Sequence, residues 1–274
     1  MENYVCETCG VQYAASEEVP VRCVICDEER QYVNPAGQSW TTLEKLQKSD
    51  TYKNEMIELE NGLYSITTKP KFAIGQTAHF VQTESFRMLW DCISYVDKET
   101  FQQIEELGGL DAIALSHPHY YSTQVVWAEH FEVPIYIHED DRTWVTRPSK
   151  HIVFWSGESL QLAEGITIHR LGGHFSGGSV LHWEHGNDGK GVLLTGDIIQ
   201  VVADQNWVSF MYSYPNLIPL PASKVEDMVK RVEKLSFNRL YNAFQGIVKE
   251  DANEAVVRSA KRYIEALEGK LFYT

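Results

Sequence analysis

A chain of 274 residues, 43% hydrophobic and 12% aromatic, is long enough to bury one sizeable α/β core beside a small accessory unit, and too apolar to be a disordered chain. Its 38 acidic against 24 basic residues give a formal charge of -14, which repels phosphate backbones and leaves no broad basic footprint for nucleic acid. No apolar run reaches the length of a membrane span, and MENYVCETCG has neither the basic nor the apolar region of an export signal, so the expectation is a cytoplasmic chain with no membrane partner.

The first feature along the chain is Cys6-Glu-Thr-Cys9-Gly followed by Cys23-Val-Ile-Cys26, two C-x-x-C knuckles separated by a short polar segment containing Pro20. Each knuckle turns two thiolates toward one point, so the pair predicts a zinc ribbon held by Cys6, Cys9, Cys23 and Cys26. Two disulfides are the competing arrangement, disfavoured without an export signal. So small a unit holds no conventional core, and zinc would supply on the order of 10 kcal/mol or more of its folding free energy. Residues 1–50 carry nine Asp or Glu against four Lys or Arg, which points to docking on the main domain or another protein rather than on nucleic acid. The polar stretch 34–54 then leads away from the ribbon, and WTTLEKLQK within it has the pattern of a short amphipathic helix. The predicted organisation is a ribbon and linker over 1–51 and a main domain over 52–274. Cys92, the fifth cysteine, follows MLWD and reads as a buried thiol.

From Leu63 onward, LYSITT, AHFVQT, RMLWDC, AIALS, PIYIH, ITIHRL, SVLHW, GVLLTGD and RLYNA are short apolar runs bounded by turn residues, hence predicted strands. Helical patterns cover 98–108, 122–131, 223–236 and 252–268, the last presenting Ala255, Val256, Ser259, Tyr263, Ile264 and Leu267 at helical spacing. Strands in a meander and then alternating with helices predict an α/β protein of sheets covered by helices. Three strands end in polar tips: SHPH closes AIALS, GGH closes ITIHRL and TGD closes GVLL. Strand ends combine rigid support with converging loops, so His117, His119, His174 and Asp197 become candidate metal ligands. Ser122 is expected to cap the helix that follows it, His79 and His138 to be structural, and His182 and His185, flanking GNDGKG, to lie on the surface.

In this order the motifs resemble the metallo-β-lactamase superfamily, from roughly Leu63 to the C-terminus. The family signature runs H-x-H-x-D-H, then G-H, then T-G-D, then a late His. Ser116-His117-Pro118-His119 matches the start, Gly172-Gly173-His174-Phe175-Ser176-Gly177-Gly178-Ser179 is similar to the G-H element, and Leu194-Thr195-Gly196-Asp197 matches the bridging-Asp element. The resemblance implies a four-layer αββα metallo-β-lactamase-like sandwich, here preceded by the small four-cysteine zinc ribbon. It also implies that Asp91, ending RMLWD, organises the metal-binding loops. The D-H pair of the signature falls on Tyr121 and Ser122, and the late His falls within Asn242-Ala243-Phe244-Gln245-Gly246. In the family the missing residues hold a second metal, whereas those retained hold the first.

The expected function is therefore a hydrolase with one catalytic ion, zinc or alternatively iron, at His117, His119, His174 and Asp197, activating water against an ester, thioester, lactone or related acyl bond of a small molecule. Asp197 would help position or deprotonate the water; Tyr121 would donate to a substrate oxyanion or fill the space of the second metal, and Tyr120 would fill space. Two alternatives stand beside it. One is an iron-dependent sulfur oxygenase similar to the persulfide dioxygenases, with His117, His174 and Asp197 as ligands. The other is a silent metalloprotein that binds a protein partner. The aromatic segment 204–221, with Trp207, Phe210, Met211, Tyr212 and Tyr214, would form a lid, a homodimer contact or a partner surface.

Overall fold

The computed structural model describes residues 1–272, and the chain divides into two units, Met1–Trp155 and Ser156–Thr274. The first begins with β1 (Tyr4–Cys6), β2 (Trp40–Thr42) and α1 (Leu43–Lys48); β1 and β2 pair antiparallel with Val5 opposite Thr41. Thr42 caps α1, its hydroxyl oxygen accepting from the Lys45 amide at 3.2 Å. Then β3 (Lys53–Glu60), β4 (Leu63–Lys69), β5 (Ala78–Gln82) and β6 (Arg87–Trp90) run as an antiparallel meander. After α2 (Lys98–Glu106) come β7 (Ala112–Ala114), α3 (Gln124–Phe131), β8 (Ile135–His138) and β9 (Ile152–Trp155), and here the pairing turns parallel. Parallel neighbours need a crossover, which α2 provides for β6 and β7, α3 for β7 and β8, and residues 139–151 with their 3-10 turn (Glu139–Trp144) for β8 and β9, so the seven strands lie in the sheet in chain order.

The core of this unit joins Phe80, Leu89, Ile104, Ile113, Trp127 and Ile135 to Cys6, Cys9, Val11, Cys23 and Ile25. The cysteine-rich segment thus packs into the same apolar interior as the sheet. Gly10 marks the contact: with φ at +80°, it lies where an added Cβ would come within 1.9 Å of Ser94 Oγ. His79 on β5 is buried beside Ser65 and Trp90 of the flanking strands, and burial lowers its pKa from 6.5 to about 4. The unfolded chain binds a proton there between those values and the folded chain does not. Stability present above pH 6.5 should therefore decline as pH falls toward 4, by about 3 kcal/mol in full. Urea midpoints across that range should slope less steeply in His79→Gln, and an unchanged slope would assign the acid sensitivity elsewhere.

The second unit contains β10 (Ser159–Ala163), β11 (Ile166–Arg170), β12 (Ser179–Trp183), a tight turn α4 (Gly186–Gly189) and β13 (Val192–Leu194). Two short ribbons follow, β14 (Gln200–Val201) with β15 (Val208–Ser209) and β16 (Met211–Ser213) with β17 (Ile218–Pro219). The chain closes with α5 (Ala222–Val232), β18 (Arg239–Tyr241), β19 (Ile247–Val248) and α6 (Ala252–Leu267). Its six-stranded sheet has the order β10-β11-β12-β13-β18-β19, antiparallel except for β13 against β18. Val225, Met228, Val229 and Val232 give α5 a helical stripe buried with Ala255, Val256 and Ala260 of α6.

Several element ends differ from the sequence reading for local reasons. Helix α5 stops at Val232, short of 236, because the Asn253 amide from α6 donates to the Leu235 carbonyl at 2.9 Å and to that of Val232 at 3.3 Å. The strand predicted over RLYNA ends at Tyr241 because Asn242 Oδ1 accepts from the Phe244 and Gly246 amides at 3.0 and 2.7 Å, closing a turn. Among the described residues, no helix is long and apolar enough to cross a membrane.

Candidate metal centres

At the amino terminus, β1 delivers Cys6 into a tight loop in which the Gly10 amide donates to the Cys6 carbonyl at 2.8 Å; the Asp27 amide does the same to Cys23 at 2.9 Å. Both knuckles thereby point their thiols inward. Cys6 Sγ lies 3.5 Å from Cys26 Sγ and Cys9 Sγ 3.6 Å from Cys23 Sγ, with all four sulfurs within 4.8 Å of one another. Sulfurs around a tetrahedral ion at about 2.3 Å would be about 3.8 Å apart, so the spacing fits tetrathiolate binding. None of the cysteines is in a disulfide. The Cys9 amide and Gln38 Nε2 both donate to Cys6 Sγ, at 3.5 and 3.1 Å. Hydrogen bonds from Cys23 and Cys26 pull the Cys6 thiol below its ordinary pKa, while burial pushes Cys9 up, so a fully ionised cluster requires a cation in its centre.

In the first unit, β7 leads through Leu115 and Ser116 to His117, and a single 3-10 turn over Pro118–Tyr120 places His119 beside it. Both rings are buried, with centroids 4.9 Å apart at 71°. Asp91, at φ +60° directly after β6, accepts from the Ser116 amide at 2.7 Å and from the Ser116 hydroxyl at 3.0 Å. The Ser116 hydroxyl has a single proton, which it gives to Asp91. Its 2.9 Å contact with His117 must then be a bond accepted from Nδ1–H, which leaves the lone pair on Nε2. That is the nitrogen a metal would use, and Asp91 does organise the loop. Ser116→Ala is expected to weaken metal binding at the histidines about 10- to 100-fold without touching the ribbon ion, as metal titration would read directly.

The residues following His119 are fully engaged in the fold. Tyr120 is buried edge-on to His117, ring centroids 4.3 Å apart, and Tyr121 packs into the first unit's core. Burial, then Asp141 and Asp91, raises the Tyr121 pKa well above the ordinary phenol value, so it stays a neutral phenol. Ser122 does not cap α3. Its backbone turns to φ +27° and its hydroxyl meets Gln76 Nε2 at 2.9 Å and Ser94 Oγ at 3.3 Å, while the helix starts after Thr123.

In the second unit, β11 runs into the glycine-rich loop that carries His174. Gly173 has φ +86°, and a Cβ there would lie 2.8 Å from Met228 Sδ, so the turn admits only glycine. The buried His174 ring donates Nδ1–H to the Tyr212 carbonyl at 2.7 Å, a bond whose direction is fixed because a carbonyl only accepts. In the neutral imidazole the lone pair is then on Nε2, which lies 3.9 Å from Asp197 Oδ1. Asp197 follows β13 and is held from behind: the Ala243 amide donates to Gly196 at 2.8 Å and the Tyr214 hydroxyl donates to the Asp197 carbonyl at 2.8 Å.

Other candidates sit outside these groups. His138 is buried, its Nδ1 accepting from the Asp140 amide at 3.2 Å. His182, expected on the surface, is 4% exposed and donates to the Ser236 carbonyl at 2.8 Å, because its place on β12 turns it toward the layer under α5; His185 is exposed as expected. The aromatic segment is less exposed than its composition suggests. Phe210 lies in the second unit's core and Trp207 lies under Arg262, 3.5 Å from the guanidinium, leaving Leu217 as its most exposed large apolar side chain. Sequence reasoning passed over Ser116, although a hydroxyl immediately before the tandem histidines was the available signal. The role of Tyr212 is played by its main chain and leaves no mark in the sequence.

The candidate ligands are therefore Cys6, Cys9, Cys23 and Cys26, with His117 and His119, in the first unit, and His174 and Asp197 in the second. No family model matches the chain. The "Uncharacterized protein YmaE" of Bacillus subtilis (strain 168) is 63% identical over 274 residues, covering 100% of both chains. The chain belongs to the YmaE family. Among solved structures, the YmaE-family fold is similar to VMB-1 at 12% identity and a TM-score of 0.60, covering 78% of this chain and 98% of that one. It is likewise similar to FIM-1 from Pseudomonas aeruginosa, solved in the mono-zinc form, at 15% identity and a TM-score of 0.56, covering 77% and 96%. At these identities the likeness shows the fold alone. This YmaE-family protein thus has the αββα fold of the metallo-β-lactamases, with an amino-terminal cysteine cluster resembling a zinc ribbon.

Proposed function

We propose that this protein is a hydrolase with one catalytic ion, held by His117, His119, His174 and Asp197, and acts on an ester, thioester, lactone or related acyl bond of a small molecule. The observation that carries the reading is that two histidines each spend Nδ1 on a hydrogen bond within their own unit. His117 is fixed through Ser116 and Asp91, and His174 through the Tyr212 carbonyl, so that each keeps its Nε2 lone pair for a ligand role. Asp197 adds a carboxylate that lowers the net charge of the bound cation. This donor set fits zinc or iron. Zinc held by these residues would supply Lewis acidity, polarising a carbonyl and lowering the pKa of water to about 7. Asp197 would help position or deprotonate the water, and the neutral Tyr121 phenol would donate to the developing oxyanion or fill the space of the second metal.

The single-ion stoichiometry is supported by what occupies the second-metal positions of the superfamily pattern. Tyr121 packs into the core, the Ser122 hydroxyl is bonded to Gln76 and Ser94, and Asn242 closes its own turn. In this reading the ribbon, residues 1–51 with its linker, holds a structural zinc, and residues 52–274 form the catalytic domain. Elemental analysis of protein purified without added metal, paired with hydrolysis assays on ester, thioester and lactone panels, tests the proposal. Two zinc ions per chain and metal-dependent hydrolysis are expected. One zinc and one iron, with oxygen uptake on persulfides, would replace it with the oxygenase reading.

A further inference from the structure

Residues 204–221 look from their composition like a lid or an interface, but their contacts lead elsewhere. Both ends of the segment are fastened to α6. The Val208 amide donates to Ser259 Oγ at 3.0 Å, and the Leu220 amide to the Tyr263 hydroxyl at 2.7 Å. Between those anchors, β16 turns back against β17, Met211 opposite Pro219, with the Asn216 amide donating to Ser213 Oγ at 3.3 Å across the turn. This hairpin lays two successive hydrogen-bonding groups on the outer sides of two candidate ligands. The Tyr212 carbonyl takes the His174 Nδ1 proton at 2.7 Å, and the Tyr214 hydroxyl reaches the Asp197 carbonyl at 2.8 Å. The Tyr214 ring also lies edge-on to the His174 ring, centroids 5.7 Å apart at 60°.

We propose that this hairpin is a clamp that positions the metal ligands of the second unit, with Tyr214 as its positioning residue: its hydroxyl fixes the main chain of Asp197 while its ring fixes the plane of His174. The inference rests on the reading that His174 and Asp197 bind an ion. A lid fastened at its two ends would leave its tip clear of the ligands, whereas here the tip bonds them. Outer groups of this kind set the tautomer and rotation of a ligand and so govern metal affinity and the ligand field more than they govern folding. The assignment gives the chain's own residues the task that a preformed cage requires, with Tyr212 acting through its backbone and Tyr214 through its side chain.

Tyr214→Phe removes only the hydroxyl. In full-length protein whose ribbon already holds zinc, titration with cobalt(II) is expected to show about 10- to 100-fold weaker binding at the histidine site and a shifted visible absorption spectrum. Tyr214→His, which restores a ring donor, should recover part of the loss. Phe210→Leu, a packing change in the same segment, should lower the melting temperature while leaving the cobalt affinity and spectrum as in the parent. Parental affinity and spectrum in Tyr214→Phe would overturn the clamp, as would equal losses in Tyr214→Phe and Phe210→Leu. His174→Ala separates the two levels: if it retains the full metal complement, the ligand reading fails and the clamp falls with it. If it loses that ion while Tyr214→Phe binds like the parent, only the clamp fails.

Discussion

Cys9→Ala should release the ribbon ion and unfold the amino-terminal part of the first unit, the largest stability effect expected in this chain. Structural zinc contributes on the order of 10 kcal/mol to such small sites, comparable with the whole stability of a domain. Cys9 is completely buried, and it belongs to the same apolar interior as Phe80, Ile113 and Trp127, so the damage should reach the sheet. Thermal unfolding and zinc content measured on the same preparation check this. The parent treated with a strong chelator should show the same lowered transition. A Cys9→Ala protein that melts with the parent would mean that the thiols serve something other than structure.

The second large effect is on activity. His174→Ala should remove one ion per chain, leave the ribbon zinc in place, and lower hydrolysis on the order of 10³-fold, equivalent to about 4 kcal/mol of barrier. The loss should be confined to catalysis. His174 is carried by a loop whose shape comes from Gly172 and Gly173, and the Leu171 and Gly172 amides both donate to the Gly178 carbonyl, so the loop does not depend on the imidazole. Metal analysis and initial rates on a hydrolysed member of the acyl panel decide it, and full metal retention would remove His174 from the ligand set.

How far the sequence revealed this architecture depended on which physical signal each part left behind. The knuckles and the three polar strand tips were legible as candidate ligands because metal ligation demands particular side chains at particular spacings, and strands β4 to β8 because their apolar runs are bounded by turn residues. The Asp91 contact was legible through the superfamily resemblance. Ser122 was misread since a serine before an amphipathic run usually caps it; here the hydroxyl is drawn instead to Gln76, which is distant in sequence. His182 was misread because turn residues nearby suggested surface, although strand alternation on β12 directs it inward. The hairpin of Tyr212 and Tyr214 was illegible for a deeper reason: its bonds use a backbone carbonyl on one side and meet a backbone carbonyl on the other. Neither leaves a compositional trace.

The joining of the cysteine-rich segment to the sheet also sets an order of events during synthesis. Gln12 accepts from Thr146 Oγ1 through its carbonyl at 2.8 Å and from Arg147 through its side chain at 2.5 Å, pairings 134 and 135 residues apart in the chain. At about 5 to 20 residues per second, the ribosome takes roughly 7 to 27 s to span that separation. Throughout that interval the segment can meet earlier partners such as Phe80 and Ser94 but not Thr146 or Arg147. These last two anchors of the cysteine-rich segment are therefore added long after its four cysteines have been made, so its docking on the sheet is completed late in synthesis.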